Sequence, residues 1–141
     1  MEVEPIDAAK DWLKMAELAM EVRKYAQAAY SLEMAVEIAL KAVLISVHVE
    51  VPKVHDIRKA ARMFLAGNRS LPKSFLEELD DFLATFETLL RLRPIVGYGF
   101  ETGTAKSDIK EQAERLLPKC KIIIAECEKA AKHVDKEGGS K

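Results

Sequence analysis

The 141-residue sequence has one asparagine, Asn68, two glutamines, Gln27 and Gln112, and only 2 cysteines. So few thermolabile amides beside 32% charged residues lean towards a thermophilic source. Cys120 and Cys127 would lie about 10 Å apart along a helix, farther than the Cα separation a disulfide tolerates, so reduced thiols and a reducing compartment are expected. Glycine and proline are scarce, at 6 and 5, and hydrophobic residues reach 49%, which excludes collagen-like, low-complexity and disordered chains. Charge of either sign is not in excess: 22 Lys and Arg face 23 Asp and Glu, a net charge of -1. General attraction to nucleic acid or to an anionic membrane is therefore absent, and any basic site must be local. The longest apolar-rich stretch, Ala35 to Val47, is interrupted by Glu37 and Lys41, and no apolar N-terminal run resembles a signal peptide. A cytoplasmic protein without membrane contact is expected. No P-loop, dinucleotide fingerprint or Gly-x-Ser-x-Gly element is present, which argues against the common nucleotide hydrolases and acyl-transfer enzymes. His48 and His133 have no metal-ligand spacing to each other or to either cysteine, so no zinc site, metal or cofactor is expected.

What the chain does have is helical periodicity. Trp12, Met15, Ala16, Ala19 and Val22 form one stripe within a helix predicted over Asp7 to Tyr25. Ala26 to Val47 is apolar on almost every side, with Glu33, Glu37 and Lys41 on one narrow line, and reads as the central, nearly fully buried helix. Pro52 and the β-branched Val47, Val49, Val51 and Val54 end it, and Asp56 opens a short helix to Leu65. After the Gly67, Asn68, Ser70 turn, Pro72 starts a helix carrying Phe75, Leu79, Phe82, Phe86 and Leu89, predicted to stop near Leu92. Pro94, Gly97, Gly99 and Gly103 then predict a long irregular connection, Arg93 to Thr104. A last helix, Lys106 to Val134, contains Pro118 and should kink or restart there. The expectation is one all-α domain spanning residues 1–141, an antiparallel up-and-down bundle of four to five helices with its core over about 7–134 and a loose tail at 135–141.

Three groups of residues could carry chemistry. Arg91 and Arg93 lie beside the predicted Gly-rich connection with Tyr98 and Phe100, a set able to fork onto phosphate oxygens and stack a base. The plainer alternative is that the arginines offset the negative end of the fourth helix while Tyr98 plugs the bundle. His55 next to Asp56 is either a general base or part of a helix start, with Arg58 and Arg62 on a solvated face. Glu37 and Lys41 either pair with each other or face a groove. The cysteines, Trp12 and the phenylalanines read as core.

Several stretches also occur in the order of a known family. A Trp-bearing segment, Trp12 to Ala16, is followed by Tyr25 to Ser31, then by Ala35-Val36-Glu37-Ile38-Ala39-Leu40-Lys41-Ala42, then by Pro52 ahead of His55-Asp56-Ile57. This pattern, over roughly residues 8–134, resembles the HEPN domain of archaea and bacteria. The resemblance implies an all-helical, up-and-down bundle that forms a homodimer, often beside a small nucleotidyltransferase in a two-component or toxin-antitoxin pair. Many such proteins are metal-independent ribonucleases, with an Arg and, four to six residues on, a His lining a cleft shared by both copies. In some toxins a Tyr two residues past that His is adenylylated by the partner.

On this chain the motif Arg would be Arg91 or Arg93. If it is Arg91, Val96 stands in the His position and Tyr98 is the modifiable tyrosine; if it is Arg93, Tyr98 itself stands where the His belongs. Neither register supplies an imidazole, and loss of the proton-transfer group should cost orders of magnitude in rate. The reading from sequence is a non-catalytic HEPN dimer that binds a nucleotide or RNA phosphate through Arg91, Arg93, Tyr98 and Lys41 and works with a nucleotidyltransferase. The alternative is an atypical ribonuclease in which Tyr98 or His55 replaces the missing His. The nearly all-apolar second helix is taken to favour dimerisation, since one small bundle struggles to cover it.

Overall fold

The structure, a computed structural model, describes residues 4–102 and 106–138, without the side chains of 95–102, 106–107 and 135–138. Five helices follow one another: α1 (Pro5–Glu21), α2 (Tyr25–Ser46), α3 (Arg58–Leu65), α4 (Lys73–Thr102) and α5 (Lys106–Gly138). No strand occurs among the described residues. The all-α bundle predicted from the helical period is the fold.

Its centre is α2, which packs against each of the other four helices. Of its 22 residues 14 are buried, so most of its apolar surface is covered within one chain, while Tyr30 and Ile45 stay exposed. That leaves less of α2 for a second copy than the sequence alone suggests. The core is completed by Ala9 and Ala16 from α1, Phe75, Leu83 and Phe86 from α4, and Leu116, Ile123 and Cys127 from α5. Both cysteines are buried and free. Burial pushes the Cys120 thiol up to about 12 and that of Cys127 higher still, because an apolar surround disfavours the thiolate. Trp12 lies at the edge of the core, edge-on to Tyr30 with ring centroids 6.0 Å apart.

Two non-glycine residues take left-handed backbone to end helices. Arg23 (φ 60) follows α1, where the Lys24 N–H donates to the Ala19 carbonyl at 2.8 Å; His48 (φ 64) follows α2, where the Val49 N–H donates to the Leu44 carbonyl at 3.0 Å. Both are six-to-one closures that satisfy carbonyls left over at a helix end. The first turns α2 back along α1.

Several expectations are corrected. Over residues 93–102, the described part of the predicted Arg93 to Thr104 connection, the chain is helical: α4 continues through Pro94, Gly97 and Gly99 to Thr102, and Gly103 and Thr104 lie outside the described residues. Extending an existing helix needs no new nucleus, so the stripe from Phe75 to Leu92 carries the chain past residues that would not start one. Pro118 likewise does not divide α5, which also runs into the predicted tail as far as Gly138. The start of α3 shifts from Asp56 to Arg58, and α4 begins at Lys73, with the Pro72 carbonyl accepting from the Leu76 N–H at 3.1 Å.

Candidate functional site

The spacing of Tyr30, Glu33, Glu37 and Lys41 places these four side chains on one face of α2. On that face Lys41 Nζ donates to Glu37 Oε2 at 2.9 Å, the expected pair one helical turn apart. The other oxygen, Oε1, lies 3.0 Å from His55 Nδ1, brought in by the α2–α3 connection. Glu37 is almost fully buried while the His55 side chain is 56% exposed, so the carboxylate fixes an imidazole that remains open to solvent.

Arg93 reaches the same face from α4. Its guanidinium sits over the Tyr30 ring, 5.4 Å from the centroid, and its Nε approaches Glu33 Oε1 to 3.1 Å. That approach brings charge without hydrogen-bond alignment: Glu33 is 2% exposed, and among the described residues neither of its oxygens has a hydrogen-bond partner. Burial raises the Glu33 carboxyl above its ordinary range, against the opposing pull of Arg93. A small cavity lined by Tyr30, Glu33, Leu92 and Arg93 separates α2 from α4 here.

Asp56 organises the start of α3. Its Oδ1 accepts from the Arg58 backbone N–H at 3.2 Å and from Arg58 Nε at 2.9 Å, and its Oδ2 from Nη2 at 2.8 Å, so the side-chain contact is a two-pronged fork. Those hydrogen bonds hold the Asp56 carboxyl below the usual carboxylate range. Arg58 also faces Glu87 at 3.4 Å, and the same Glu87 oxygen accepts from Arg91 at 2.8 Å.

Arg91, Arg93, Lys41 and His55 therefore belong to one run of contacts together with Glu37 and Asp56. It passes from Lys41 through Glu37 to His55, from neighbouring Asp56 to Arg58, and through Glu87 to Arg91; Arg93 joins it through Glu33, beside Glu37. Tyr98 lies on α4, but its side chain, like that of Phe100, is outside the described residues. The arginines do not form one fork as the sequence reading had it. Two positions apart on a helix, they point apart: Arg91 outward to Glu87 and Arg93 inward to Glu33. Nor do they cap the end of α4, which lies well beyond them at Thr102.

A family model of the HEPN domain matches residues 4–130. The chain belongs to the HEPN family. No curated protein and no solved structure matches it. Among the described residues of this HEPN protein, no helix is long and apolar enough to cross a membrane.

Sequence reasoning missed Glu33, Arg58 and Glu87 as members of the site. Glu33 carried one usable signal, a carboxylate one turn before Glu37 on an otherwise apolar helix. Glu87 carried the i,i+4 spacing to Arg91 on the same helix, but its contact with Arg58 of α3 is set only by packing.

Proposed function

We propose that this HEPN protein is a homodimer that holds RNA or a nucleotide by its phosphates along the face built by α2, α4 and the start of α3, without cutting it, and that it acts with a small nucleotidyltransferase in a toxin-antitoxin-like pair. The observation that carries the reading is that Lys41 and His55 share Glu37 while Arg58 and Arg91 share Glu87, which pairs the cations along one face of a chain with almost no net charge. Arg91 is the most available cation. Its side chain is 78% exposed, and an exposed pair such as Arg91 with Glu87 is worth only about 0–1 kcal/mol, so a phosphate can compete for it. Arg93, stacked over Tyr30 and against Glu33, serves to hold α4 on α2 and contributes field more than contact. Tyr98 is the residue the partner would adenylylate.

The test is a fluorescence titration of single-stranded RNA in excess EDTA across a salt series, with a cleavage gel beside it. Binding without cutting is expected, and Arg91→Ala should weaken it and flatten the log–log salt slope by about 0.7 per lost phosphate contact. Unchanged affinity in Arg91→Ala joined to Lys41→Ala would sink the phosphate reading. Incubation with the nucleotidyltransferase and ATP should add one adenylyl mass that Tyr98→Phe abolishes.

One observation favours the second reading, an atypical ribonuclease. An imidazole held through Nδ1 by a buried carboxylate has the arrangement of a general base with its orienting acid. RNA cut in EDTA by the wild type and spared by His55→Ala would establish it.

A further inference from the structure

We infer that Glu33, Glu37 and His55 form a binding site for one divalent transition-metal ion. Three donor atoms, one from each side chain, lie within 4.8 Å of one another. The two carboxylates come from successive turns of a rigid helix and the imidazole from the chain that follows it.

The observation that points to a ligand, rather than to a mere meeting of charges, is Glu33. It is 2% exposed, and among the described residues both of its oxygens lack a hydrogen-bond donor. A buried carboxylate in that condition is costly, and Arg93 Nε at 3.1 Å offsets its charge without satisfying its lone pairs. Native structures leave few such groups, and coordination is one of the ways they are satisfied.

The donor set selects the ion. An imidazole with two carboxylates suits zinc, manganese or ferrous iron, whereas magnesium and calcium prefer oxygen alone. Metal–ligand bonds of about 2.0–2.2 Å put donors on a shared ion about 3–3.5 Å apart. The His55 to Glu37 separation of 3.0 Å already meets that, and a Glu33 carboxylate oxygen lies within 4.8 Å of both donors. Lys41, on Glu37 Oε2 at 2.9 Å, would then orient a ligand from outside the coordination sphere. Entry is through His55, the exposed member. Because Lys41 and Arg93 already offset the two carboxylates, a bound dication leaves the site positive, and its open positions would take water or an anionic oxygen.

This inference stands apart from the RNA reading, whose titrations run in EDTA. The test is a titration of the full chain, stripped with EDTA and dialysed, with Co2+ followed by its visible spectrum and with Mn2+ followed by electron spin resonance. One ion per chain is expected, with no intense thiolate band. Affinity should fall at least about tenfold in His55→Ala and in Glu33→Gln. His55→Ala alters an exposed side chain, and far-UV circular dichroism verifies that it folds. The site is disproved if neither ion binds at millimolar concentration, if His55→Ala binds as tightly as the wild type, or if a thiolate band places the ion on Cys120 or Cys127.

Discussion

Glu37 holds His55 and Lys41 at once, each on its own carboxylate oxygen, at 3.0 Å and 2.9 Å. A buried helix side chain thereby ties the chain leading into α3 back onto α2. Glu37→Gln keeps the shape and loses the charge, so it should cost about 1–3 kcal/mol of stability, the range for hydrogen bonds to a charged group. His55→Ala should cost less, because its side chain is largely exposed. Urea unfolding of both variants gives the order.

Glu33 makes stability fall as pH rises. Its folded pKa is raised by burial, so the folded state holds a proton that the unfolded state has released, and stability declines from the ordinary carboxylate range up to the folded value. Glu33→Gln should flatten that limb, its melting temperature gaining on the wild type as pH rises through this window. Parallel curves for the two proteins would contradict the assignment.

Arg23 and His48 sit at φ 60 and φ 64, where a Cβ is crowded. Arg23→Gly and His48→Gly should each stabilise the protein by about 0.5–1 kcal/mol, as glycine does at the left-handed residue closing a helix. Equal chemical-denaturation midpoints in variant and wild type would show that the backbone there is unstrained.

Neither thiol should react while the protein is folded. Cys120 is raised to about 12 and both side chains are buried, so almost no accessible thiolate exists at neutral pH. An aromatic disulfide reagent should label two thiols in denaturant and none without it; fast labelling of the native protein would mean that α5 opens locally.

Most of α2 is buried within one chain, so a dimer is expected to draw mainly on another helix. Met15, Leu18 and Val22 make an exposed apolar stripe on and just after α1, at helical spacing, and are the surface we expect a second copy to cover. Leu18→Glu should convert the dimer to monomer in light scattering with little loss of thermal stability, since the side chain is already 44% exposed in one chain. A dimer that survives Leu18→Glu would have to use another surface.

The sequence by itself determined the helical class, the burial of α2 and the alignment of Glu33, Glu37 and Lys41. Each follows from spacing within a few turns, where the helical period alone decides which side chains are neighbours. It also put an acid, Asp56, just ahead of α3, although the helix itself begins two residues later at Arg58, whose backbone N–H donates to that acid. It misjudged residues 93–102, where local preference was overruled by a helix already formed. Only the tertiary structure decided that His55 meets Glu37, that Arg93 turns inward to Glu33 while Arg91 turns outward, and that Glu87 joins two arginines from different helices. Those meetings depend on how α3 and α4 pack on α2, and the relative placement of packed helices is a property of the whole core, which no short window of sequence contains.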